Sequence, residues 1–140
     1  MPLSEPETAA LYRLIEAVRP EITLVWHSHA SIVEANEAAG ADVYGKVFAA
    51  AAGYHYIEEW SSYPITGQLI DALEQRLGLR AMDVELSRCC VITGEEFDRN
   101  LRAVLAMLDA IDEAHPGKST PTPTGRATPV PTVRVPDFRR

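Results

Sequence analysis

His27 and Glu85 are the residues of this chain whose types and positions best suit chemistry. His27 closes an apolar run, Glu21-Ile22-Thr23-Leu24-Val25-Trp26-His27-Ser28-His29, and Glu85 stands near the end of a second, Leu79-Arg80-Ala81-Met82-Asp83-Val84-Glu85-Leu86. In open α/β proteins reactive side chains collect at the carboxyl ends of strands. An imidazole at one strand end and a carboxylate at another could supply a metal ligand and a general base.

Local spacing alone does not decide the matter. His27 and His29, two apart in extended chain, can face one side, but a tight zinc site takes three or four protein donors. His55-Tyr56-Ile57-Glu58 has the His-x-x-Glu spacing of a zinc pair. On a strand, however, positions i and i+3 point to opposite faces, and the Tyr-x-Tyr-Ile setting reads as a strand. Glu85 lies between Val84 and Leu86, a setting that suits acid/base work. The ordinary reading of each residue, a hydrogen-bonded histidine or a paired surface acid, stands beside the functional one.

The elements that must position these residues follow from periodicity and punctuation. Ser4-Glu5-Pro6-Glu7 reads as a helix start, with Ser4 as cap, Pro6 in the first turn and acids at the positive end of the dipole. Leu11, Leu14, Ile15 and Val18 then repeat at helical spacing until Pro20. Residues 21–27 read as a strand and 28–40 as a loop. Residues 41–52 read as an alanine-rich helix closed by Gly53, and 54–60 as a strand with aromatic alternation. Thr66 is placed to cap a helix running to Leu77 and closed by Gly78, and 79–86 form a third strand. Thr93-Gly94-Glu95-Glu96 opens a last helix with Phe97, Leu101, Val104, Leu105, Leu108 and Ile111 on one face. Strands alternating with helices predict an α/β fold, layered α/β/α with a mainly parallel or mixed sheet. Three strands and four helices make that sheet thin and the domain incomplete.

Composition narrows the partners. The 140 residues suit one modest domain, and a net charge of −7 argues against a general nucleic-acid binder. Residues 116–140 set five Lys/Arg against Asp137, a balance of +4, which leaves −11 on residues 1–115. That terminal stretch carries six prolines and little that is apolar, and reads as a disordered basic tail. No segment approaches the ~20 apolar residues of a membrane span, and the acidic opening Met1–Glu5 does not read as a secretory signal. Cys89 and Cys90 are adjacent and make no disulfide framework.

Taken together, residues 4–113 resemble the C-terminal part of the catalytic domain of the zinc metallocarboxypeptidases of the carboxypeptidase A type. The motifs are Ser4-Glu5-Pro6-Glu7, Trp26-His27-Ser28, and Tyr63-Pro64-Ile65-Thr66-Gly67 with Asp71 eight residues after the tyrosine and Glu85 fourteen after Asp71. The resemblance implies a Zn2+-dependent peptidase acting on a peptide or related amide with a free C-terminus. His27 would be one zinc ligand, and Glu85 the base that takes a proton from water and later gives it to the leaving amine. Tyr63 would sit on a mobile loop that closes over substrate. Ile70, Asp83 and His29 would approach the substrate's terminal side chain, Ile70 suggesting an apolar group and Asp83 a basic one. The Ser28–His29 peptide would be cis.

The same resemblance implies two further zinc ligands and substrate-binding arginines upstream of the Ser-Glu-Pro-Glu helix, and residues 1–3 do not contain them. His55 and Glu58 fall in the wrong segment to replace them. The expected site is therefore incomplete and the isolated chain inactive. A second reading is a non-catalytic binding module, with self-association through the sheet edge that missing strands leave open. A third is a different metal site built from His27, His29 and His55.

Overall fold

The computed structural model describes residues 5–88 and 91–116. Within them the order is α1 (Pro6–Val18), β1 (Thr23–Ser28), β2 (Ile32–Ala35), α2 (Asp42–Ala52), β3 (His55–Ile57), α3 (Leu69–Leu77), β4 (Ala81–Leu86) and α4 (Gly94–Ala114). The four strands form one sheet in the order β1-β4-β2-β3. β1 runs parallel to β4 and β3 parallel to β2, whereas β2 and β4 are antiparallel. The architecture is the expected layered α/β fold with a mixed sheet and four helices.

The fourth strand is β2, which falls in the span read as a loop. Four residues are too few to show a period. The alternation is nonetheless there: Val33 and Ala35 are buried and Ile32 and Glu34 only partly so. Asn36 fixes the end of this strand. Its side-chain amide donates to the carbonyls of Ile70 (3.2 Å) and Leu79 (3.3 Å), and its side-chain oxygen accepts from the Ala81 N–H (3.1 Å). One buried side chain thus ties β2 to the start of α3 and the start of β4.

Two apolar clusters hold the helices to the two faces. On one face Val33, Ala35, Met82 and Val84 meet Phe48 of α2 and Ala103 and Met107 of α4. On the other, Ala81 and Val25 meet Tyr12 and Ile15 of α1 and Ile70 and Leu73 of α3. Small residues set the first layer. A Cβ on Gly45 would stand 2.8 Å from the Ala35 Cβ and 3.1 Å from the Tyr56 ring, so α2 sits against the sheet at a distance only glycine permits.

Several local expectations change. α3 begins at Leu69 after Gln68, with no side-chain cap, so Thr66 does not cap it and belongs to the preceding loop. Thr93 does cap α4, accepting from the Glu96 N–H at 3.2 Å. The proposed cap Ser4, the Cys89–Cys90 pair and the tail from residue 117 lie outside the described residues. Both long apolar stripes turn largely outward. α1 buries Tyr12 and Ile15 but leaves Leu11, Leu14 and Val18 exposed. α4 buries Glu96, Asn100, Ala103 and Met107 and exposes Phe97, Leu101, Leu105 and Leu108. The polar pair can go inward because it is satisfied. Tyr54 Oη donates to Glu96 (2.6 Å), Asn100 donates to Tyr54 Oη (3.1 Å), and the Ser87 N–H donates to Glu96 (2.9 Å). A hydrogen-bonded polar group does not carry the cost of an orphaned one. Among the described residues no helix is long and apolar enough to cross a membrane.

Candidate functional site

The strand register brings the two lead residues together. His27 of β1 is the direct partner of Glu85 of β4, and Val25 is the partner of Asp83. Across β4's other edge, Glu34 of β2 opposes Asp83 and Ile32 opposes Glu85. Because side chains alternate faces along a strand, His27, Asp83, Glu85 and Glu34 all stand on one face of the sheet. They line a cavity of about 400 Å³ whose far wall is the Trp60–Leu69 segment, including Tyr63 and Gly67.

Within the cavity His27 Nε2 lies 3.9 Å from Asp83 Oδ1, the imidazole half exposed and the carboxylate largely covered. Burial pushes the Asp83 carboxyl up to about 6, as do Glu34, Glu85 and Asp71, while His27 pulls it down. Glu34 is also raised, first by burial and then by Asp71 and Glu59, against the lowering hydrogen bonds from the Trp60 N–H and Gln68. The floor of the cavity is thus a row of carboxyls set beside one imidazole.

The loop wall is held from within the site. The Trp60 N–H donates to Glu34 at 3.4 Å and Gln68 Nε2 donates to its other oxygen at 3.5 Å, so both ends of the loop are tied to one carboxylate. Tyr63 meets Trp60 edge to face, ring centroids 5.5 Å apart. Gly67 takes a φ of +82°, a conformation L side chains rarely adopt.

Four sequence-predicted residues therefore converge on one cavity: His27, Glu85, Asp83 and Tyr63. Two do not line it. Ile70 is fully buried between α3 and the sheet and borders a second cavity on the Asp71 side, and His29 is exposed beyond the end of β1. The Ser28–His29 peptide is cis, as the resemblance implies. Glu58 follows β3 and also borders the second cavity, and His55 lines neither. Sequence reading missed Glu34. The signal that could have found it is the alternating Ile32-Val33-Glu34-Ala35 run ahead of Asn36, a strand signature only four residues long.

The donors among the described residues do not make a zinc centre. Among the described residues no group of three or more His, Cys, Asp or Glu side chains converges to hold a metal ion. One imidazole with a carboxylate 3.9 Å away falls short of the three or four donors of a tight site. The same finding leaves no metal site of His27, His29 and His55 within one described chain.

No family model matches the chain, and no curated protein matches it. A solved structure does. The fold is similar to that of a murein-tripeptide amidase. The crystal structure of MpaA from Escherichia coli O157 matches with a TM-score of 0.54 at 21% identity, over 77% of this chain and 41% of that one. At that identity the likeness carries the fold alone. The chain spans about two fifths of the length of the amidase it matches.

Proposed function

We propose that this chain is the carboxyl-terminal part of a peptidase- or amidase-type hydrolase domain and contributes part of its active site. The observation that carries the reading is the His27–Glu85 register pair at the floor of the cavity, with Tyr63 on its loop wall. The likeness in fold to an amidase supports the coarse class. The narrower reading, a zinc carboxypeptidase of the A type, rests on the sequence motifs.

In this reading Glu85 takes the proton of the attacking water and returns it to the leaving amine. The half-exposed His27 imidazole offers one donor for zinc, and the described residues bring no further set of donors to it. Tyr63 hydrogen-bonds the substrate from the loop, and Trp60 holds its ring edge-on. Asp83 and Glu34 give the cavity an acidic floor, which favours a substrate with a basic group near the scissile amide. The substrate is a peptide or related amide with a free C-terminus.

The test is a chimera in which residues 5–116 replace the matched part of the murein-tripeptide amidase. Zinc-dependent amide hydrolysis that Glu85→Gln lowers by about 10²–10⁴-fold supports the reading. A chimera that folds and binds zinc but shows no hydrolysis dependent on Glu85 overturns it and leaves a non-catalytic binding module.

A further inference from the structure

The stretch from Trp60 to Gln68, which carries Tyr63, leads from β3 to α3 and is mostly exposed. Among the described residues two hydrogen bonds tie it to the sheet, and both end on one carboxylate. The Trp60 N–H donates to Glu34 Oε1 at 3.4 Å, and Gln68 Nε2 donates to Oε2 at 3.5 Å. The register explains the reach. Glu34 of β2 lies opposite Ile57 of β3, so the chain leaving β3 passes its carboxyl at Trp60. Gln68 is the residue just before α3. Trp60 carries the hold inward along the loop. Its ring meets Tyr63 edge to face at 5.5 Å, and Tyr63, 59% exposed, lines the cavity of His27 and Glu85.

A carboxylate is costly at this position. Glu34 opposes Asp83 across the β2–β4 ladder, and like charges directly opposite destabilise a sheet. Among the described residues it has no ion-pair partner. Burial raises its carboxyl, and Asp71 and Glu59 add to that, against the two loop bonds. A group whose folded pKa is raised costs stability when ionised at neutral pH. An apolar residue at position 34 would avoid that cost, so packing of the sheet does not account for an acid there. The two loop bonds are what the acid adds.

We propose that Glu34 is a positioning residue of the candidate site: by latching both ends of the 60–68 loop it sets where Tyr63 stands relative to the His27–Glu85 pair. The role of Tyr63 rests on the hydrolase reading, whereas the latch itself does not. Both bonds are longer than the usual ~2.7–3.2 Å, so the latch is weak and the loop opens readily to admit a substrate.

The experiment is amide hydrogen exchange in the 140-residue chain, followed at Trp60 by NMR. Glu34→Met keeps the length of the side chain without its acceptors and speeds Trp60 exchange at least ~5-fold. Amides of the β2–β4 ladder keep their protection, and the urea midpoint at pH 7 does not fall. Glu34→Gln keeps an oxygen for the Trp60 N–H, and Gln68 can turn its amide to accept from the new one, so exchange returns to within ~2-fold of the parent. In the hydrolytic chimera Glu34→Met raises KM about 5-fold with kcat little changed, because a loosened loop lowers the fraction of molecules ready to bind. Glu34→Gln reverses that rise. Trp60 exchange in Glu34→Met equal to the parent's overturns the latch, whatever the chimera does. Faster exchange with an unchanged KM in an active chimera overturns the positioning role. Faster exchange together with a chimera that folds but shows no Glu85-dependent hydrolysis supports the latch and overturns the hydrolase reading instead.

Discussion

His27 and Glu85 are nearest neighbours across the parallel β1–β4 ladder, directly opposed in register on one face of the sheet. The pairing explains how residues 58 positions apart in sequence come to share one cavity. A parallel register also aligns the carboxyl ends of both strands, so the two functional groups emerge together where the loops open.

One imidazole does not hold zinc tightly. Titration of the isolated chain with Zn2+ is expected to show no stoichiometric site below about micromolar affinity, since tight sites use three or four donors. His27→Ala is expected to change that weak binding little. Isothermal calorimetry of parent and variant checks both statements. A tight one-to-one site in the isolated chain would mean that donors other than those described converge on His27.

Asp83 sets a pH dependence of known sign. Burial and neighbouring carboxyls raise its folded pKa from 3.8 to about 6, so the folded state holds a proton the unfolded state has released. Stability therefore falls as pH rises from about 4 through about 6, and the loss is complete above the folded pKa. The shift corresponds to at most about 2–3 kcal/mol. Asp83→Asn is expected to recover most of this above pH 6 and to flatten the profile below it. Urea denaturation at fixed protein concentration, from pH 4 to 7, measures both.

Much of this was legible in the sequence where elements are long or strongly punctuated. The strands carrying His27 and Glu85, the Thr93 cap and the Gly53 and Gly78 helix ends all stand as expected. β2 escaped because four residues cannot declare a period, and Glu34 escaped with it. The outward turn of α4 escaped for a different reason. Periodicity finds an apolar face but not which face is covered. Here Ala103 and Met107 pack inward beside a satisfied Glu96–Tyr54–Asn100 network, and the larger apolar residues are left outside. Which donors lie near His27 depends on strand order, and no local pattern encodes that.

Gly45 is a packing requirement in the middle of α2. Alanine would place its Cβ 2.8 Å from the Ala35 Cβ and 3.1 Å from the Tyr56 ring, against a strand and a ring that are both held. The gain in helix propensity, about 1 kcal/mol, is outweighed by overpacking of about 1–3 kcal/mol, so the net cost depends on how far β2 can shift. Gly45→Ala is expected to destabilise by up to about 2 kcal/mol. Gly45→Val is expected to cost more, because its branched side chain adds volume against the same neighbours. A series of thermal or urea midpoints orders the three proteins. A Gly45→Ala protein more stable than the parent would show that α2 is not pinned to the sheet.

Glu96 is the ionised group on which the α4 side depends. Burial alone would raise its pKa, but hydrogen bonds from the Ser87 hydroxyl, the Tyr54 hydroxyl and the Ser87 N–H prevail, with Arg99 adding to them, and hold it at about 2. Its unfolded counterpart titrates near 4.5. The stabilisation is therefore present above about pH 4.5 and lost as pH falls toward 2, about 3 kcal/mol in all. This runs opposite to the Asp83 effect, so the two are separable by variant. Glu96→Gln keeps the shape but donates an amide towards groups that are themselves donors, and is expected to cost about 1–3 kcal/mol at neutral pH. The variant should also lose the acid-limb dependence between pH 2 and 4.5. Because Ser87 follows Glu85 by two residues, the same substitution loosens the strand end that carries the proposed base. In the hydrolytic chimera this predicts a fall in kcat with little change in KM, whereas a purely structural Glu96 would lower stability and leave kcat per folded molecule unchanged.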